Sequence, residues 1–156
     1  MIEHDQRMRD LMETAKANLR RDGELVPVLF VEGRRNAMVA IREMAATSDG
    51  RAEILRAAGT AFSADQPTRI TAVMDAYLGA DVPKTGSLAD DPEATECVVV
   101  SSLDARGRAR MLVCSYERIP TLERLEFEFG EVREMDEGAR LFLLEAFFEG
   151  VREARR

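Results

Sequence analysis

Met8, Leu11, Met12, Ala15 and Leu19 recur at intervals of three and four residues, so the chain opens with an amphipathic helix. Asp22-Gly23 ends it, because glycine takes the left-handed position past a helix end without steric cost. A hairpin follows, with one strand over about Val26–Val31, a turn over Glu32–Asn36, and a second strand in which Ala37, Val39 and Ile41 alternate. Pro27 has no N–H and suits the start or the edge of that hairpin. Thr47-Ser48-Asp49-Gly50 offers N-cap side chains for a second helix reaching about Phe62, with Ile54, Leu55, Ala58 and Phe62 inward. Within it Gly59 costs about 1 kcal/mol relative to alanine, which marks a point of close packing. Pro67 stops the segment.

Ile70, Ala72, Met74, Ala76 and Leu78 alternate and predict a strand, although alanine and methionine also suit a helix. Residues 79–93 carry no periodicity, and loops longer than ~12 residues in compact domains are usually functional or mobile. Glu96–Ile119 then reads as a β-hairpin around Asp104-Ala105-Arg106-Gly107. A plain four-residue loop pairs Leu103 with Arg108 and sets Cys97 opposite Cys114. A type I turn with Gly107 in the left-handed position of a bulge pairs Asp104 with Arg108 instead, which sets Cys97 opposite Ser115. Aspartate first and glycine fourth favour the second register, which sends the two thiols to opposite faces. Val98, Val99, Val100, Met111, Leu112 and Val113 put apolar groups on both faces, so the ribbon belongs in the interior of the sheet.

Leu122–Val132 alternates Leu125, Phe127 and Phe129 with charged residues, as a strand with one wet face does. The last helix, capped near Asp136, carries Leu141, Leu144, Phe147, Phe148 and Val151, and Phe142 and Leu143 widen its apolar stripe. The order is α-β-β-α-β-β-β-β-α. It defines a single α+β domain over residues 1–156, with a largely antiparallel sheet of about five to six strands and helices at the start, middle and end. That order resembles, in topology alone, the profilin-like roadblock scaffolds and the acidic dimeric chaperones of bacterial secretion systems. The resemblance implies no site residues, since fold does not confer function.

Composition narrows the function classes. The 156 residues, 46% hydrophobic and 33% charged, can bury a core without disulfide or metal staples. A net charge of −7 repels nucleic acid and anionic membrane. No apolar run approaches the ~20 residues that span a bilayer, and the charged N-terminus has no secretory h-region. With only two cysteines, a reducing, cytoplasmic setting is expected.

Candidate chemistry is sparse. The only histidine, His4, is expected in a frayed terminus, which leaves Ser101 and Ser102 without a base; mid-strand, they suit a wet face or backbone hydrogen bonding. No zinc, EF-hand or glycine-rich phosphate motif occurs, and no cofactor is expected. Asp90, Asp91, Glu93 and Glu96, with Asp75 on the preceding strand, are the carboxylates that a divalent-metal enzyme would use. The pairs Arg34-Arg35 and the set Arg106, Arg108 and Arg110 make two basic hairpin tips, which would grip phosphate or an acidic partner if both project from one end of the sheet. Phe142, Phe147 and Phe148 exceed what one buried helix face requires, which points to a second covered side, either the domain's own sheet or another copy. The chain therefore reads as a small acidic protein-interaction module, self-associating and non-catalytic. A carboxylate metal enzyme and a nucleic-acid accessory protein are the alternatives.

Overall fold

The structure is a computed structural model that describes residues 2–43, 45, 47–78, 95–135 and 141–156. Helix α1 (Ile2–Asp22) buries Met8, Met12, Ala15 and Leu19, the stripe that the spacing predicts. Gly23 closes it at φ 76°, donating its N–H to the Leu19 carbonyl at 2.8 Å. His4 lies inside this helix, and not in a frayed end.

Strands β1 (Val28–Glu32) and β2 (Ala37–Ala40) form the first hairpin. Helix α2 (Ser48–Phe62) starts at Thr47, whose Oγ1 accepts the Gly50 N–H at 3.1 Å. A 3₁₀ turn at Ser63–Asp65 and a left-handed Gln66 lead into β3 (Arg69–Leu78). Strands β4 (Thr95–Asp104), β5 (Ala109–Pro120) and β6 (Leu125–Glu134) follow, then α3 (Phe142–Ala154). All neighbours pair antiparallel in a six-stranded sheet of order β2-β1-β3-β4-β5-β6.

The molecule has three layers. On one face α1 packs over Val73, Val98, Val100, Leu112, Cys114 and Tyr116. On the other, α2 and α3 pack over Leu29, Val31, Ile70, Ala72, Met74 and Leu103. Helix α3 therefore lies beside α2, with the sheet between it and α1. The alternation in β3 is consequently real strand alternation: Ile70 and Ala72 face one core, while Thr71 and Val73 face the other, and all four are buried.

The β4–β5 turn takes the bulged register. Asp104 donates its N–H to the Arg108 carbonyl at 3.0 Å, Gly107 donates to the Asp104 carbonyl at 3.0 Å, and Gly107 sits at φ 87°. Leu103 pairs with Ala109, and Cys97 with Ser115. Both cysteines are free and buried, on opposite faces of the sheet, with Cys114 on the face that α1 covers.

Three further expectations need correction. Ser101 and Ser102 do not face water; they are 7% and 3% exposed, because both faces of β4 are covered. The last strand begins at Leu125, since the Thr121 hydroxyl accepts the Arg124 N–H at 3.1 Å and folds 121–124 into a turn that leaves Leu122 in solvent. Helix α3 begins at Phe142, with no side-chain cap from Leu141; Asp136 lies outside the described residues.

Candidate functional site

The α2–α3 pair covers only part of its face. The two helices cross at Gly59 and Gly150, where a Cβ on either glycine would overlap a carbonyl oxygen of the other helix, Phe147 or Arg56. Arg56 pairs with Glu149 at 3.0 Å, and Thr60 donates to the Gly150 carbonyl at 3.3 Å. So close a crossing joins the two helices into one layer over the core of Leu29, Val31, Ile70, Ala72, Met74 and Leu103. Further across the sheet, Val99 of β4 and Met111 of β5 are only half-buried.

Among the described residues the uncovered strip is an apolar groove of about 350 Å³ between the first turn of α3 and strands β3–β5. Its floor includes Met74, Val99, Met111 and Val113; Leu141 and Leu144 form one wall. Phe142 and Met135, 54% and 42% exposed, stand at its lips. Two polar groups enter it. Ser101 is buried, lines the groove and has no hydrogen-bond partner for its hydroxyl among the described residues. Arg51 donates through Nε to the Ala45 carbonyl at 2.8 Å and forms no ion pair among the described residues. Arg133 pairs with Val113 across β5–β6 and so projects from the same face.

The aromatic residues singled out from the last helix separate. Phe147 and Phe148 are core residues, packed edge to face on each other at 5.4 Å. Their place in the core removes them as surface contacts, so the wide apolar stripe of α3 is covered within the domain, and Phe142 alone of the three is exposed.

Of the candidate carboxylates, Glu96 and Asp75 lie among the described residues. Glu96 receives Arg118 Nε on both oxygens at 2.8 and 3.1 Å, and Arg118 also donates to the Gly23 carbonyl at 2.9 Å. That pairing ties the end of α1 to β4 and β5. Burial raises the Asp75 carboxyl above its ordinary range, and burial with the nearby Glu96 charge raises the Tyr116 phenol. Asp90, Asp91 and Glu93 lie outside the described residues. Among the described residues, no group of three histidine, cysteine or carboxylate side chains converges as a metal would need.

A contact invisible to spacing involves His4. Its Nε2 lies 3.1 Å from Ser102 Oγ, joining α1 to β4. Burial, and then the Arg69 charge, lower the imidazole pKa from its ordinary value. The pair has the composition of a nucleophile and its base, but Ser102 is 3% exposed and a substrate has no approach to it. Its effect is to seat the first turn of the helix. The clue in the sequence was that Ser102 follows Val98 and Val100 at intervals of two, on the strand face that α1 covers.

Both arginine tips lie at one end of the sheet, since β1 and β4 each flank β3: Glu32 pairs with Arg69, and Arg69 with Asp104. Arg35 is held by Asp65 at 2.9 Å. Arg110 is consumed by Asp5 and Glu134. The side chains of Arg34, Arg106 and Arg108 have no partner among the described residues.

Comparison with models of protein families, with curated proteins and with solved structures finds no match to this chain. The class that fold and groove define is thus a three-layer α+β domain with an open apolar groove on its two-helix face.

Proposed function

We propose that this chain is a non-catalytic binding module that receives an apolar segment of another protein in the groove beside α3. The observation that carries the reading is the strip of β4 and β5 left uncovered among the described residues, where three of the groove's residues, Met74, Met111 and Met135, are methionines. Methionine has three rotatable bonds and a polarizable sulfur, so a surface rich in it accommodates varied apolar shapes. Arg51 and Arg133 at the rim favour a segment whose apolar residues are flanked by acids. The engagement of Glu96 by Arg118 and the burial of Ser102 weigh against a hydrolytic or metal-dependent reading.

The test uses the wild-type chain and its Phe142→Asp and Met111→Asp variants as bait, with light scattering of each alone. A protein held by the wild type and lost from both variants supports the groove as the site. Retention by both variants overturns it. A wild-type mass twice that of Phe142→Asp identifies the occupant as a second copy of the chain.

A further inference from the structure

We infer that the end of the sheet where the two hairpin tips meet is a binding site for a phosphate monoester, independent of the groove. Arg69, Arg106 and Arg108 line one pocket of about 340 Å³ there, with Thr68, Glu32 and Asp104. Residues distant in sequence are brought together by β3, which pairs with β1 through Arg69 and with β4 through the same residue. The Ala105 N–H, donated to the Thr68 carbonyl at 2.8 Å, fastens the second tip to the strand entry.

Of the two acids of the pocket, Asp104 serves its turn, while Glu32 faces two arginines with its Oε2 buried and without a hydrogen bond among the described residues. Asp104 Oδ1 accepts the backbone N–H groups of Arg106 and Arg108, each at 2.9 Å, so this carboxylate serves the turn. Glu32 lies 3.1 Å from Arg7 and 3.7 Å from Arg69. Arg106 and Arg108 are exposed, and their guanidinium groups have no partner among the described residues. Arg34 projects from the neighbouring tip in the same condition.

Such a cluster matches a phosphate monoester better than a carboxylate. The monoester carries about −1.5 to −2 charges and three terminal oxygens, enough to engage several planar forks at once. The chain's net charge of −7 opposes a long polyanion. A single phosphate group is affected mainly by charges within about 8 Å at physiological salt, and at this pocket three arginines outnumber the two carboxylates, Glu32 and Asp104. The site thus selects a compact phosphate, on a small molecule or on a phosphorylated side chain.

The probes are inorganic phosphate, O-phosphoserine, a phosphoserine peptide with its unphosphorylated form, and a short DNA duplex, each titrated into the isotopically labelled chain at constant ionic strength. The amide resonances of Thr68, Ala105 and Gly107 are expected to move with the phosphate-bearing probes and not with the unphosphorylated peptide. Arg106→Gln with Arg108→Gln weakens binding at least about tenfold, and the corresponding lysine pair recovers only part of it because the fork is lost. The peptide binding more tightly than phosphoserine identifies a protein source, and the reverse a small molecule; either supports the site. Immobile resonances with every phosphate probe, an unchanged affinity in the glutamine pair, or tighter binding of the duplex than of any monoester would overturn it.

Discussion

Gly59 of α2 and Gly150 of α3 occupy one helix crossing, and each lacks a Cβ at a point where the other helix's main chain stands. Glycine inside a helix normally costs about 1 kcal/mol against alanine, so the usual expectation is that Gly→Ala stabilises. Here the sign reverses. The obstructing atoms are backbone, and the helices can admit a methyl only by separating, which loosens the packing around Phe147. Gly59→Ala or Gly150→Ala should lower unfolding free energy by about 2 kcal/mol or more, read from urea denaturation midpoints.

Gly107 is the contrasting case. A Cβ there meets nothing within 4 Å, but the residue sits at φ 87°. The cost of Gly107→Ala is therefore conformational alone, about 1 kcal/mol, and Gly107→Asn should cost less because asparagine tolerates the left-handed region. The same denaturation series separates these values from those at the crossing.

Cys97 and Cys114 lie on opposite faces, both fully buried. Burial, followed by the charge of Asp75, pushes the Cys97 thiol up to about 11, and burial also raises Cys114. Neither should react with an aromatic disulfide reagent in the native state at neutral pH, and both should react once the chain is unfolded in guanidinium. An internal disulfide formed under mild oxidation of the folded chain would contradict the register.

His4 makes stability depend on pH. Its folded pKa is lowered, so between that value and the unfolded value of about 6.5 the unfolded chain binds the proton and the folded chain does not. Stability is therefore full above about pH 6.5 and falls as pH drops through that window. The charges facing the ring are Arg7 on its own helix, Arg69 and Glu32 on β3 and β1, and Arg110 on β5; the arginines outnumber the carboxylate. His4→Gln should flatten the melting-temperature profile between pH 7 and 5 relative to wild type.

Phe142 is the first residue of α3 and more than half exposed, so Phe142→Asp removes little buried surface and places an acid at the favourable end of the helix. Its unfolding free energy should stay within about 0.5 kcal/mol of wild type. Loss of partner binding in this variant would then report the groove itself and not misfolding.

Periodicity carried the architecture. Met8 to Leu19, Ile70 to Met74 and Leu141 to Val151 each bury the face their spacing marks, and Asp104 with Gly107 specified the hairpin register through local turn chemistry alone. Even Gly59 announced a close contact by its cost within a helix. These features depend on neighbours within a few residues, so a linear reading reaches them.

The candidate site was far less legible. The phenylalanines of α3 had one composition and two fates: Phe147 and Phe148 went to the core, while Phe142 went to the lip of the groove. Arg110 looked like Arg106 and Arg108 until Asp5 and Glu134 came beside it. His4 found Ser102, 98 residues away, only because α1 lies across β4. The sequence by itself determined element types, order and hairpin register, because backbone sterics and alternation act locally. Tertiary structure alone decided which charges are spent, which aromatic rings remain in solvent, and where an apolar strip is left uncovered, because each depends on the packing of elements far apart in the chain.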